Sequence, residues 1–337
     1  MNESSQLRWH MEYGGFLPLE LNDGKEYFDQ YENLVTKFNS VKAAVVFLLN
    51  QLSVKQIYLP YYYCPSTIEA IRKTGIKIVF YHINQYLEPD EQLPDQEKSA
   101  VLFVNYFGVK TNQIKELSRK FNQSEVIFDN AHAFFAKPEK RRRIHNLYSA
   151  KKFFGVPDGA YLVSMDIIGG EKEYSYSYDY SKYLLTAYEK GTNAAYRAKK
   201  EADLIIAQQY TTMSRLANGL LKNVNYSIVK LKRETNYSIL FQQLQKKNKL
   251  HLPKKIAAYV YPYLPQQDGE IIKKRLVEQR IYVPTLWNGE DLKHNGNSNE
   301  LEMMNCCIFL PVDQRYNQED INHIISVMHK IISVSER

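Results

Sequence analysis

Two adjacent lysines, Lys151 and Lys152, sit in the stretch NLYSAKKFFGVPDGAYLV, residues 146–163. A lysine amine that has lost its proton is a nucleophile and condenses with an aldehyde. Upstream, IFDNAHAF (127–134) carries a carboxylate, Asp129, and a histidine, His132. A carboxylate at the end of an apolar run is tolerated when a cationic partner offsets its desolvation, and a protonated ring nitrogen is such a partner. Taken alone, Asp129 reads as a loop carboxylate capping the next turn, and His132 as a hydrogen-bonded loop histidine.

Stepping along the chain, VKQIYLP (54–60), IKIVFYHI (76–83), AVLFVNYFG (100–108) and SEVIFDNAHAF (124–134) read as strands. TIEAIRKTG (67–75) and NQIKELSRKF (112–121) read as helices between them. Strand and helix alternating at this spacing predict an α/β fold with a mostly parallel central sheet flanked by helices. In such sheets ligands bind beyond the carboxyl ends of the strands. Those ends carry Tyr61-Tyr62-Tyr63-Cys64, Asn105-Tyr106-Phe107-Gly108 and Asp129-Asn130-Ala131-His132, with Ser149-Ala150-Lys151-Lys152 following. Ser40, Val41 and Lys42 open an apolar helix, AAVVFLL, whose first N–H groups would favour an anion.

From Asp179 to Asn248 the chain is helical and polar on one side. Strand patterns at 257–264 and 306–312 and helical patterns at 268–279 and 317–332 then predict a smaller α+β C-terminal domain. The expected division is 1–230 for the large domain and 231–337 for the small one. The polar stretch NGEDLKHNGNSNELE (288–302) reads as a mobile loop.

With 44% hydrophobic residues the chain can bury a core, and 24% charged residues is ordinary for a globular protein. No run of eighteen apolar residues predicts a membrane span, and MNESSQLRWHMEYGG lacks the apolar centre of a secretory signal. Three cysteines, Cys64, Cys306 and Cys307, have no metal-binding spacing. A reducing cytoplasm is the expected location, and no metal is expected. The net charge of +7 is densest at Lys140-Arg141-Arg142-Arg143. That run reads as a solvated loop or as a contact for a nucleotide diphosphate. No zinc, RRM or KH signature accompanies it, so nucleic acid is not an expected partner. No GxGxxG or P-loop follows any strand, which argues against an ordinary nucleotide-binding domain.

A lysine amine, a strand-end carboxylate, aromatic side chains and a helix start fit the needs of pyridoxal 5'-phosphate (PLP). That cofactor takes an amine at its aldehyde, a carboxylate at its ring nitrogen, a flat ring partner and N–H groups at its phosphate. The segments NSVKAA (39–44), YLPYYYCPS (58–66), VNYFG (104–108), IFDNAHAF (127–134), YSAKKFFGVPDGA (148–160) and FLPVDQRYNQEDI (309–321) stand in an order that resembles the DegT-type sugar aminotransferases, PLP enzymes of fold type I.

The resemblance implies that Lys152 is the covalent attachment point, since Ser149 precedes it by three and Gly159 follows it by seven. It implies Asp129 at the pyridine nitrogen, His132 near the ring hydroxyl, Ser149 at the phosphate, and Lys151 as a neighbour able to help hold it. Ser40, Val41 and Lys42 would form the phosphate end, with Val41 where the family has glycine. One of Tyr62, Tyr63 and Cys64 would cover the ring, and Tyr63 is the expected one. The family's partner-subunit asparagine has no counterpart in QQYTTMSRLANGLL (208–221), where Tyr210 and Ser214 are the nearest candidates. Arg142 and Trp287 are substrate-side candidates. The implied activity is amino transfer from an amino acid, glutamate by analogy, to a nucleotide-linked keto-sugar, by a homodimer. Two alternatives stand beside it: a PLP-dependent sugar dehydratase, a class in which histidine replaces the lysine, and an inactive binding or regulatory protein on the same scaffold.

Overall fold

The computed structural model describes residues 14–166 and 175–335, and the N-terminal stretch MNESSQLRWHMEY lies outside them. In chain order the elements of the first half are β1 (Val35–Phe38), α1 (Val41–Gln51), β2 (Gln56–Pro60), α2 (Pro65–Arg72), β3 (Lys77–Tyr81), β4 (Ser99–Val104), α3 (Thr111–Ser118), β5 (Glu125–Asn130), β6 (Ile144–Ser149) and β7 (Ala160–Ser164). The second half contains α4 (Lys182–Lys190), α5 (Thr192–Gln208), α6 (Arg215–Lys222), α7 (Tyr226–Leu244), β8 (Val260–Tyr263), α8 (Gly269–Glu278), α9 (Glu290–Asn295), α10 (Ser298–Cys306), β9 (Ile308–Pro311) and α11 (Gln318–Ser335).

The strands of the first half form one sheet in the order β1-β7-β6-β5-β4-β2-β3. From β6 to β3 all neighbours are parallel, and only β7 runs against the rest. The carboxyl ends of β1, β2, β4, β5 and β6 therefore meet at one edge, together with the start of β7. The α/β expectation holds, including its parallel centre. Strand β4, SAVLFV, is buried at every position, as a strand covered on both faces requires.

Strand β6 is equally buried but reads IHNLYS, without the apolar run that marks a central strand. Its polar groups are satisfied locally. His145 is hydrogen-bonded to Ser164 Oγ at 2.9 Å and to Glu125 Oε2 at 3.0 Å, and Asn146 Nδ2 donates to the carbonyls of Glu139 and Val163. The expected strands are all shorter than the stretches read for them. Strand β4 stops at Val104 because Phe107 and Gly108 take positive φ values of 56° and 89°.

The second sheet is the antiparallel pair β8 and β9, packed with α7, α8 and α11 around a second apolar cluster. The expected boundary at 230/231 falls inside α7. Val260, Trp287 and Phe309 also belong to the apolar cluster of the large sheet, so the two parts share a core. The stretch 288–302 is not the expected mobile loop. It folds as α9 and α10, the latter started by a capping box between Asn297 and Glu300. The buried Glu300 carboxylate also accepts from the Ile83 N–H at 2.9 Å, which fastens this stretch to the chain after β3.

Candidate active site

A cavity of about 250 Å3 opens at the carboxyl edge of the large sheet. That is near the lower end of ordinary small-ligand pockets, about 300–1,000 Å3. Its walls come from the start of α1, the turn after β2, the ends of β5 and β6, the lysine turn, α5 and Trp287.

Asp129 stands at the end of β5, 6% exposed. Its Oδ2 accepts from Tyr63 Oη at 2.7 Å and its Oδ1 from the Ala131 N–H at 2.8 Å. Burial and the adjacent carboxylate push the Tyr63 phenol well above its usual range, so it stays a donor. Tyr62 points elsewhere. Its ring stacks with Tyr106 and meets Trp287 edge-on.

The two lysines both line the cavity but take different partners. Lys152 turns into the cavity and its Nζ lies 2.7 Å from His132 Nε2. Burial lowers its pKa, while Cys64 and Asp129 pull the other way. Lys151 instead pairs with Asp203 Oδ1 of α5 at 2.7 Å. Residues Ala150 to Phe154 form a tight turn, with the Phe153 and Phe154 N–H groups both donating to the Ala150 carbonyl. Gly159 closes the next turn at φ 130°, and an added Cβ would lie 3.2 Å from Ala150 Cβ.

His132 is 1% exposed and sits within a stack of rings. Trp287 lies parallel to it at 5.0 Å and Tyr259 at 4.6 Å, with Phe107 at 5.9 Å. Burial and the neighbouring Lys152 charge hold its imidazole well below the usual histidine range, so it is neutral. Its Nδ1 is buried without a hydrogen-bond partner. Phe107 and Trp287 both have φ of 56°. Such backbone costs about 1–3 kcal/mol per residue and collects at ligand sites. Gly108 serves the same corner, since a Cβ there would meet the His132 carbonyl oxygen at 2.6 Å.

At the other end of the cavity Ser40 caps α1, its Oγ accepting from the Ala43 N–H at 3.1 Å. The first N–H groups of a helix have no acceptor inside it, and those of Val41 and Lys42 start this one at the cavity wall. Ser149, 7% exposed, lines the cavity with them. The Lys42 ammonium donates to the Ala207 carbonyl near the end of α5 and lies 5.0 Å from the Tyr210 ring.

Lys152, Asp129, His132, Ser149, Ser40, Val41, Lys42, Tyr63 and Trp287 thus come together around one space. Arg142 does not. It precedes β6 at the opposite edge of the sheet, where it is exposed and pairs with Asp166 at 3.1 Å. Parallel pairing of β5 and β6 places the start and the end of β6 on opposite edges, which separates Arg142 from Ser149. Ser214 is also committed elsewhere. It is fully buried, caps α6 through Ala217, and donates its N–H to Asp158.

Three residues at the site carried no signal in the sequence. Asp203 lies on a polar helix, Tyr259 in a stretch crowded with tyrosines, and Arg233 on α7. The Arg233 guanidinium is buried beneath the lysine turn. It donates to the carbonyls of Ala258 (3.1 Å), Tyr259 (3.3 Å) and Phe153 (3.3 Å) and to Gln314 Oε1 (3.0 Å). Burial pushes its pKa down to about 10, which leaves it charged at neutral pH.

No family profile and no curated protein matches the chain. Solved structures do match. The aminotransferase TlmJ from Streptoalloteichus hindustanus aligns over 91% of this chain and 89% of its own, at 16% identity and a TM-score of 0.61. The chain has the fold of the sugar aminotransferases. The putative sugar aminotransferase Spr1654 from Streptococcus pneumoniae, in its PMP form, aligns over 94% of this chain and 93% of its own, at 14% identity and a TM-score of 0.61. A GDP-4-keto-6-deoxy-D-mannose-3-dehydratase from E. coli with bound hydrated PLP aligns over 90% and 92%, at 14% identity and a TM-score of 0.61. This is the mostly parallel sheet with flanking helices of the fold-type I PLP enzymes. Among the described residues no helix is long and apolar enough to cross a membrane, and no group of three metal-binding side chains occurs.

Proposed function

We propose that this protein is a PLP-dependent aminotransferase. It takes an amino group from an amino acid, glutamate in the first instance, and passes it to a nucleotide-linked keto-sugar in amino-sugar biosynthesis. The observation that carries this reading is the placement of one lysine amine, Lys152, and one strand-end carboxylate, Asp129, on the same small cavity. Sugar aminotransferases of the same fold, among them one in a PMP form, support it.

The residues present fit the cofactor. The orphaned His132 Nδ1 offers a ring-level polar contact. Tyr63 and Ala131 hold Asp129 rigidly, so that its charge can be spent on a pyridine nitrogen rather than on solvent. The start of α1, with Ser40, Val41 and Lys42, and Ser149 offer the phosphate end. When bound, PLP supplies an aldehyde for the amine and a cationic ring that draws electrons from the substrate carbon.

Lys152 is the attachment point. Its pKa is lowered by burial, so a larger fraction of it is the free amine at neutral pH than for a surface lysine. With the cofactor and an amino donor bound, the free Lys152 amine would serve as the base that carries a proton between the donor's α-carbon and the carbon across the shared nitrogen. His132 Nε2 holds the amine in place between these steps. Trp287 and Tyr259 cover His132 and keep water from that side.

Lysine rather than histidine at position 152 favours transfer over dehydration. We further propose a cytoplasmic homodimer, supported by three free thiols and by exposed apolar side chains such as Leu185, Tyr188 and Leu204 on α4 and α5. The test is a spectral titration of the PLP-loaded protein with glutamate, followed by a panel of keto-sugar nucleotides. Conversion to the pyridoxamine form by glutamate, and its reversal by a keto-sugar nucleotide, is the expected result. Failure of the first conversion removes the aminotransferase reading.

A further inference from the structure

The phosphate end of the cavity is closed by a helical hairpin of the same chain. Helices α4 and α5 pack on each other through a small apolar cluster that includes Tyr180, Tyr183 and Ile206. Tyr183 Oη donates to the Val156 carbonyl at 3.0 Å and Tyr180 Oη to Asp158 Oδ2 at 2.9 Å, so the hairpin is fastened to the segment that follows Lys152. Asp203 and Ile206 of α5 are cavity walls beside Lys42, Lys151 and Ser149.

Helix α5 also takes up the cations at that end. The Asp203 carboxylate lies 2.7 Å from Lys151 and 2.5 Å from Lys199, and the Ala207 carbonyl accepts from Lys42. An anionic side chain and a helix C-terminal carbonyl stand where a phosphate would meet the same lysines.

On the reading of the cavity as a PLP site, we propose that Asp203 sets the affinity for the phosphate of the cofactor, acting as an internal counter-ion that the phosphate must share Lys151 with. A phosphate brings about two negative charges. Asp203 repels it and competes for Lys151, so the wild-type protein binds the phosphorylated cofactor more weakly than its lysines alone would allow. The ring end, with Lys152, Asp129 and His132, is not touched by Asp203. The residue therefore discriminates by phosphate and leaves the aldehyde chemistry alone.

The experiment compares the wild type with Asp203→Asn and Asp203→Ser. Affinity is measured for pyridoxal 5'-phosphate and for pyridoxal, which lacks the phosphate, by absorbance and by borohydride capture on Lys152. Inorganic phosphate is titrated as a competitor. Thermal melts verify that both variants are folded, and Asp203 is half exposed. Expected is tighter binding of pyridoxal 5'-phosphate by about fivefold, stronger competition by inorganic phosphate, and unchanged binding of pyridoxal. Equal affinity for pyridoxal 5'-phosphate in all three proteins overturns the inference, as does an equal change for both aldehydes. If none of the three forms a borohydride-stable adduct on Lys152, the reading of the cavity itself is overturned, and this inference with it.

Discussion

Lys152 Nζ lies 2.7 Å from His132 Nε2, inside a stack formed by Trp287 and Tyr259. The contact sets two buried bases against each other. Burial disfavours the charged form of both, and the Lys152 charge further disfavours a charged His132, while Cys64 and Asp129 partly offset the effect on Lys152. The result is a neutral imidazole beside an amine whose pKa is lowered from the ordinary lysine value, on the same cavity as Asp129.

Covalent capture follows from that position. Reduction with borohydride in the presence of pyridoxal 5'-phosphate should label Lys152 and abolish its free amine. Lys152→Ala should show no adduct and no turnover. Lys151→Ala should retain the adduct, because its amine is engaged with Asp203 rather than with His132, and should bind the cofactor more weakly, because the phosphate end loses a cation. Peptide mass mapping of the reduced protein distinguishes the two. An adduct on Lys151 would reverse their roles.

The lowered Lys152 pKa makes a prediction about stability against pH. An unfolded lysine titrates at about 10.4. Between the lowered folded value and that point, the unfolded chain binds more protons than the folded one, so stability rises with pH through that window. Below the folded value the penalty is fully present. Lys152→Met removes it. The variant should be more stable than the wild type at neutral pH, and the difference should shrink as pH approaches about 10. Urea melts at several pH values measure this. A pH-independent difference would contradict it.

Asp129→Asn keeps the shape of the strand end and removes its charge. Loss of turnover by about a hundredfold or more is expected, in line with deletion of a pre-organised electrostatic partner. The cofactor should still attach to Lys152. Tyr63→Phe, which removes one hydrogen bond to Asp129, should have a smaller effect in the same direction. Single-turnover kinetics with glutamate separate the two, and a larger loss in the tyrosine variant would reassign the dominant role.

Arg233→Met is expected to destabilise the protein by about 3 kcal/mol, since the carbonyls of Ala258 and Tyr259 lose a buried donor. Phe153 keeps its bond from Gln314 Nε2 at 2.8 Å. The lysine turn should therefore survive, and the melting curve should move further than the affinity for the cofactor. A melting curve that does not move would show that the guanidinium is expendable.

Much of the fold was legible. The parallel strands with continuous apolar character, the helices between them and the convergence of strand ends all follow from periodicity. Strand β6 was not, because its buried His145 and Asn146 are satisfied by partners brought in by other strands, which no local pattern encodes. The helices in 288–302 had a local sign, the Asn297 to Glu300 capping spacing, outweighed by the Gly- and Asn-rich composition around it. The candidate residues near the strand ends line one cavity, because parallel strands bring their carboxyl ends to one edge. Arg142 was placed by charge density alone, and charge density says nothing about which edge of a sheet a loop occupies.

The order of residue types along this chain determined the kind of fold and the segments that end at the carboxyl edge of its sheet, because hydrophobic period and the alternation of strand and helix are legible locally. Tertiary structure decided which partner each lysine meets. The turn from Ala150 to Phe154 sends Lys152 toward His132, while Lys151 meets Asp203 some fifty residues away in sequence. Adjacent residues with identical side chains differ only in the direction in which the folded backbone points them, and that direction is fixed by packing against α5 and α7.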